Sequence, residues 1–179
     1  FQPADLQRLV SVEGVEHIRT SLAKGKGVIA VSAHFGNWEI NAPAILTQCD
    51  RAVDISYRAP NNPWSDALLM RARTMGGRIT AHAKSRQGGK SMMSTIKEGG
   101  ALGILIDQKY NQGLSVPFFG VEAMTNPFFI QLAQKYGCAL VPIRNLRLDG
   151  ASFSLTVYEP LEVEGKSAQE VIAEAHSLL

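Results

Sequence analysis

Apolar runs rich in β-branched residues alternate with amphipathic segments along most of the chain, and this alternation constrains the fold more than any other feature. Short continuous apolar runs are typical of strands that are buried on both faces. The predicted buried strands are residues 28–33, 52–57, 101–106 and 139–143. Segments with apolar residues at helical spacing separate them. The pattern predicts an α/β fold with a mixed, mostly parallel sheet and helices on both faces.

Three other segments carry weaker signals. Residues 152–158 alternate apolar and polar side chains, which predicts a half-exposed strand that pairs antiparallel to its neighbour. Two short helices are expected, one before and one after Gly14, and another helix is expected to begin near Asn37. Residues 107–126 are expected to form a long loop. In an open parallel sheet, polar residues that directly follow a strand are the first candidates for a site.

Length and composition favour one globular domain over residues 1–179, with 45% hydrophobic and 19% charged residues. Because the chain starts at Phe1 rather than methionine, we expect it to be part of a longer domain at both ends. The net charge of +2 is too small to predict a nucleic-acid partner. Two distant cysteines and isolated histidines lack the spacing of metal ligands, so neither a metal nor a cofactor is expected.

The strongest chemical signal is a histidine at the end of the first buried strand, with a glutamate five residues later. Gly36 permits a tight turn between His34 and Glu39, and across such a turn the two side chains can meet. A carboxylate on one imidazole nitrogen would leave the other nitrogen free to accept a proton from an alcohol. The alternative is a core histidine bonded to a backbone carbonyl, with Glu39 stabilising a helix N-terminus.

This pattern resembles the signature of the bacterial lipid A late acyltransferases, which lie within the His-x4-Asp/Glu glycerolipid acyltransferase superfamily. Further matches follow in order along residues 12–147. They are Asn62-Pro63-x-x-Asp66, Arg71-x-Arg73, Gly76, the strand end at Asp107-Gln108, Val116-Pro117-Phe118-Phe119-Gly120, Ala123, Thr125, Leu132-Ala133, residues 139–142 and Arg144. Their order and spacing make the resemblance more specific than any single motif.

The resemblance implies that an acyl chain moves from acyl carrier protein to a hydroxyl of a phosphorylated lipid A precursor. His34 would be the general base, and Glu39 would orient it and balance its charge. It also implies a location on the cytoplasmic face of the bacterial inner membrane, with the membrane surface as a partner. Relatives usually carry an N-terminal hydrophobic anchor, and no apolar run of that length occurs in this sequence.

The expected substrate-binding residues are basic or lie at a strand end. Arg58, Arg71 and Arg73 could clamp phosphate or sugar oxygens, or form surface salt bridges. Lys90 stands where the family often has arginine, and it could act similarly or be solvated. Asp107 and Gln108 could hold Arg71 or the substrate, or could organise the following loop.

Alternatives remain at this point. The same base would serve an acyltransferase for another lipid, such as a phosphatidylinositol mannoside or a lysophospholipid, and also a hydrolase that releases fatty acid. A non-catalytic lipid-binding relative would be expected to lose the catalytic pair, yet both residues are present. Trp64, Phe118 and Phe119 could face an acyl groove or a bilayer, or could pack in the core.

Overall fold

The computed structural model describes residues 3–179, and within them the chain forms an α/β fold around one seven-stranded sheet. Phe1, the first residue of the chain, lies outside the described residues. The strand order is β1-β9-β8-β2-β5-β3-β4. The strands are β1 (Val10–Glu13), β2 (Val28–Ser32), β3 (Val53–Tyr57), β4 (Ile79–Ala83), β5 (Ala101–Leu105), β6 (Leu114–Phe118), β7 (Val121–Thr125), β8 (Ala139–Arg147) and β9 (Phe153–Val157). The predicted fold class is therefore confirmed.

The helices lie on both faces of the sheet. They are α1 (Pro3–Leu9), α2 (Val15–Ala23), α3 (Asn41–Cys49), α4 (Pro63–Arg73), α5 (Arg86–Lys97), α6 (Phe128–Tyr136) and α7 (Ala168–Leu178). On one face, α1, α2 and α3 pack against the sheet through a core that includes Ile18 and Ile45. On the other face, α5, α6 and α7 bury a second core that includes Ile96, Ile130 and Ile172. Removal of apolar surface from water on both faces is the main term that stabilises this arrangement.

The five consecutive strands β8, β2, β5, β3 and β4 run parallel to one another. Strand β9 pairs antiparallel to β8, as the alternation in residues 152–158 predicts, and β1 runs parallel to β9. Strand β2 lies in the middle, and its neighbouring residues Val28 and Ile29, which point to opposite faces of the sheet, are both buried. This double burial explains why the strand reads as one apolar run.

Three local expectations were wrong, and one strand was missed. Residues 10–13 are not helical, because β1 completes the sheet edge beside β9. Strand β4 was missed because it is an edge strand in which only Ile79 is buried. The expected loop of residues 107–126 contains the β6–β7 hairpin. The α-helix that was expected to begin near Asn37 begins at Asn41, because a short 3₁₀ turn at Trp38–Ile40 precedes α3, and the Asn37 side chain makes no capping hydrogen bond.

The parallel strands bring the residues that follow them to one edge of the sheet. Across the order β2-β5-β3-β4, the residues just beyond the strands are His34, Asp107, Arg58 and Lys84. They come from four distant parts of the sequence. This edge is where an open parallel sheet is expected to hold a ligand.

Candidate active site

A histidine and an aspartate meet at the carboxyl ends of the neighbouring strands β2 and β5. The Nδ1 atom of His34 lies 2.7 Å from Oδ1 of Asp107. The backbone N–H of His34 also donates to Oδ2 of Asp107 across 2.9 Å. Both carboxylate oxygens are thus engaged by one residue. The contact between His34 and Asp107 follows from the strand register. Ser32 lies opposite Leu105 where the two strands end, and His34 and Asp107 each come two residues later.

The His34–Asp107 contact leaves one ring nitrogen available. The other imidazole nitrogen, Nε2, makes no hydrogen bond within residues 3–179, and the side chain of His34 is 34% exposed. An aspartate that accepts from Nδ1–H fixes the tautomer in which Nε2 carries a lone pair. Such a histidine can take a proton from an incoming hydroxyl, which is the work of a general base.

Glu39 does not pair with His34 as the sequence predicted. Its carboxylate accepts from Nε of Arg73 across 2.8 Å and from Nη2 of the same guanidinium. The guanidinium lies over the ring of Trp38, 5.3 Å from its centroid, and Trp38 meets His34 edge-on at 5.3 Å. Glu39 therefore reaches His34 only through Arg73 and Trp38. The five-residue spacing places both residues in one turn, but their partners come from elsewhere in the chain.

A buried polar network holds the turn that carries His34. Asn145 on β8 is fully buried, and its Nδ2 donates to the backbone oxygen of Asn37 at 2.9 Å and to Oδ1 of Asn41 at 2.6 Å. Gly36, in the same turn, has a φ of +54°, and a Cβ there would lie 2.6 Å from Oδ1 of Asn145. The turn therefore needs glycine at position 36 for both its conformation and its space. Sequence reasoning missed Asn145 because it lies far along the chain.

Replacing Asn145 with leucine is expected to lower the free energy of unfolding by about 2–4 kcal/mol. The change removes two hydrogen bonds and leaves the backbone oxygen of Asn37 and Oδ1 of Asn41 without this donor. Urea unfolding followed by circular dichroism measures the difference. The matched control is Asn111→Leu, because Asn111 is exposed, and it should stay within about 0.5 kcal/mol of the native protein. Equal losses in the two variants would contradict the role of the network.

A cleft opens beside Asp107 on the α5 and α6 side of the sheet. Its volume is about 470 Å³, within the roughly 300–1,000 Å³ usual for ligand pockets. Its polar rim includes Arg58, Lys84 and Gln108, and the ammonium of Lys84 donates to Oε1 of Gln108. Desolvation lowers the pKa of Lys84, while Asp107 opposes this shift and Arg58 adds to it. The remaining lining is mainly apolar, and it includes Met92, Ile104, Ile106, Phe128 and Phe129.

A second, smaller cavity lies on the α3 side of the sheet. It is lined by Trp38, Glu39 and Arg73 at one end and by apolar side chains such as Ile55 and Leu102 elsewhere. Its volume is about 80 Å³, well below the range usual for ligand pockets. Of the two spaces, the cleft beside Asp107 is therefore the better candidate for a ligand in this conformation.

The structure brings together some of the predicted site residues and separates others. Asp107 and Gln108 lie at the site, but Asp107 holds His34 rather than Arg71. Arg73 is largely buried by its pairing with Glu39, so it is not free to clamp a phosphate as expected. Arg58 lies at the cleft, whereas Arg71 and Lys90 are exposed and do not line it. The cleft residue Lys84 was not among the expected substrate-binding residues.

The described residues offer no evident covalent nucleophile or metal centre. Burial raises the pKa of Cys138 to about 11, and burial also raises the pKa of Cys49. Since the thiolate is the nucleophilic form, both thiols are poor nucleophiles at neutral pH. Within residues 3–179, no group of three histidine, cysteine or acidic residues is placed to hold a metal ion. Over the same residues, no helix combines the length and apolarity needed to cross a bilayer.

Comparisons with known proteins point to one family. The family model described as bacterial lipid A biosynthesis acyltransferase matches residues 1–177. The lipid A biosynthesis lauroyltransferase of Escherichia coli is 30% identical over 159 residues, which cover 87% of this chain and 50% of that protein. The lipid A biosynthesis palmitoleoyltransferase of the same species is 25% identical over 176 residues, covering 96% of this chain and 55% of that protein. The chain thus spans about half the length of these relatives.

Proposed function

Because the chain belongs to the family of bacterial lipid A biosynthesis acyltransferases, we propose that the full-length protein moves a fatty acyl chain from acyl carrier protein to a hydroxyl of a lipid A precursor. The observation that carries the proposal is the His34–Asp107 pair at the sheet edge, with Nε2 of His34 unoccupied by any described group. This arrangement suits the activation of an alcohol.

The proposed reaction proceeds by direct transfer. Nε2 of His34 takes the proton of the acceptor hydroxyl as its oxygen attacks the thioester carbonyl. The tetrahedral intermediate then collapses, the carbon–sulfur bond breaks, and the thiolate receives the proton from His34. Asp107 accepts from Nδ1–H throughout and stabilises the imidazolium that forms between the two steps. An ester and a free thiol result, and no cofactor is required.

Glu39 has an indirect role in this proposal. Its pairing with Arg73 holds the guanidinium against Trp38, and the edge contact between Trp38 and His34 limits the orientation of the imidazole. Glu39 is therefore a positioning residue rather than the carboxylate that balances the charge of His34. The high pKa of Cys138 supports direct transfer over an acyl-enzyme on that thiol.

The test is acyl transfer by membranes that contain the full-length protein. Acyl carrier protein loaded with chains of several lengths is the donor, and a tetra-acylated lipid A precursor, a phosphatidylinositol mannoside and a lysophospholipid are offered separately. We expect an ester product on the lipid A precursor alone. Transfer only to another lipid would replace the proposed acceptor. Release of fatty acid at an equal rate without any acceptor would instead identify a hydrolase.

We also propose that the protein works at the cytoplasmic surface of the inner membrane and that one side of α4 meets the lipid. Trp64 is 85% exposed and Leu68 is 71% exposed, and they lie one helical turn apart, with Arg71 following on the same side. Helix α4 buries no residue fully. Exposed tryptophan and leucine beside a cation suit the interface of an anionic membrane.

The double substitution Trp64→Ala with Leu68→Ala is expected to weaken binding to anionic vesicles about tenfold or more. The physical reason is the loss of apolar surface that would enter the interface, at about 25 cal/mol per Å². Co-sedimentation with vesicles containing phosphatidylglycerol measures the change. Leu148→Ala is the control, because Leu148 is also exposed but lies beyond β8. Equal vesicle binding by the double variant and the control would contradict the proposed contact between α4 and the membrane.

A further inference from the structure

Two cationic side chains stand next to each other where β3 and β4 end. Tyr57 lies opposite Ala83 in the register of these parallel strands, and the backbone N–H of Lys84 continues the ladder by donating to the oxygen of Tyr57 at 2.9 Å. Arg58 and Lys84 are therefore neighbours across the two strands, and both line the cleft beside Asp107.

These two cations have no salt-bridge partner in the part of the chain that the structure describes. Neither Arg58 nor Lys84 forms a salt bridge there, and no acidic residue lines the cleft. The nearby carboxylate of Asp107 is already engaged at both oxygens by His34. Two like charges at close range repel each other, and an anion between them would relieve the repulsion.

The donors of this pair suit a phosphate. The Lys84 ammonium has three N–H donors and donates one hydrogen bond to Gln108, so two donors remain for a ligand. The guanidinium of Arg58 makes no hydrogen bond with a described residue and matches phosphate oxygens bidentately. The walls behind the two cations are apolar, with Phe128 and Phe129 among them. Two cations beside an apolar wall suit a ligand in which an anionic group is attached to an apolar group.

We propose that this cleft binds a phosphate ester whose attached group packs against the apolar wall, with Lys84 and Arg58 on the phosphate oxygens. The inference rests on the proposed acyl transfer, since it assigns the cleft to one of that reaction's substrates. A phosphate reaches the site from either of two sources, the phosphorylated sugar of the lipid acceptor or the phosphate-linked arm of the carrier protein. Ile106 and Gln108, the chain neighbours of Asp107, line the cleft, so a ligand held there lies at the same sheet edge as His34.

The kinetic test compares Lys84→Gln with Lys97→Gln in the full-length protein. Lys97 ends α5, is exposed and lies outside the cleft, so its substitution removes the same charge elsewhere. We expect Lys84→Gln to raise KM for one substrate about tenfold, as loss of a charge-assisted hydrogen bond implies, with kcat within about twofold. A KM rise for the lipid acceptor assigns its phosphate to the cleft, and a rise for the acyl carrier protein assigns the donor arm.

A matched pair of acceptors sharpens the assignment. If the cleft holds the acceptor phosphate, an acceptor lacking that phosphate should raise KM in the native protein, yet cause little further rise in Lys84→Gln. Unchanged KM for both substrates in Lys84→Gln, or changes equal to those of Lys97→Gln, would overturn the proposal.

A binding measurement separates failure of this inference from failure of the proposed function. Inorganic pyrophosphate should raise the thermal midpoint of the native protein and of Lys97→Gln, and the increase should be lost in Lys84→Gln and in Arg58→Gln. This result in a protein without acyl transfer activity would retain the anion cleft and reject the proposed reaction. Equal midpoint shifts in all four proteins would reject the cleft whatever the activity.

Discussion

Replacing His34 with alanine is expected to lower kcat for acyl transfer by about 10²–10⁴-fold, the usual contribution of a general base. KM should change little, because the loss falls on proton transfer in the transition state rather than on substrate binding. The fold should survive, since the side chain is partly exposed and the backbone N–H of residue 34 can still donate to Asp107. Steady-state kinetics of the full-length protein with saturating acceptor measure the effect.

The matched control for this prediction is His17→Ala. His17 lies on α2 just after β1, a strand that runs opposite to β2, so it stands away from the sheet edge that carries His34. We expect its substitution to leave kcat within about twofold. Full activity in His34→Ala, with a native thermal midpoint, would end the proposed role of His34 while leaving the family assignment intact.

The sequence predicted the strands well where burial on both faces requires a continuous apolar run. Strand β2 is buried on both faces, and Val28 and Ile29, which point to opposite faces, appear in the sequence as part of one apolar run. Edge strands lack this signature, because one side of each strand and often one face meet water. Strand β4, where Thr80 and His82 separate the apolar residues, could be recognised only by its pairing with β3.

The sequence indicated that His34 and Asp107 follow strand ends, but it did not indicate that they pair with each other. His34 and Asp107 were both candidates, because each follows a strand and polar residues there tend to meet. Their mutual contact depends on β2 lying beside β5, a strand order that local patterns do not encode. Asn145 carries no local signal either, since an asparagine in a strand is common, and Lys84 is one of several basic residues in its part of the sequence. The sequence favoured Glu39 as the partner of His34 because Glu39 is close to it along the chain, whereas Asp107 is close to it only in the folded structure.

The second large effect concerns which carboxylate serves His34. Asp107→Asn is expected to lower kcat by about 10²–10³-fold, within the range of general acid–base effects, although the side chain keeps its size. Asp107 accepts two hydrogen bonds from His34, one from the backbone N–H and one from Nδ1–H. Asparagine offers only one oxygen in this place. If that oxygen accepts from the backbone N–H, the amide nitrogen faces Nδ1 and donates to it.

That reversal favours the tautomer with the proton on Nε2, which cannot accept the proton of a hydroxyl. If the amide turns the other way, its N–H groups face the backbone N–H of His34 and that hydrogen bond is lost. Either orientation damages the base. Glu39→Gln should act differently, because Glu39 touches Arg73 rather than His34. We expect it to lower activity by loosening Trp38, and we expect the tautomer of His34 to stay unchanged.

Nitrogen-15 spectra of histidine-labelled protein distinguish the two carboxylates by a signal that a merely structural change would not move. The chain has four histidines, and comparison with His34→Ala assigns the signals of residue 34. In the native protein and in Glu39→Gln, we expect the proton on Nδ1. In Asp107→Asn, we expect a shift of the proton to Nε2 together with the loss of kcat. A tautomer change in Glu39→Gln, with none in Asp107→Asn, would restore Glu39 as the partner of His34. Asp107 would then be left with the backbone contact alone.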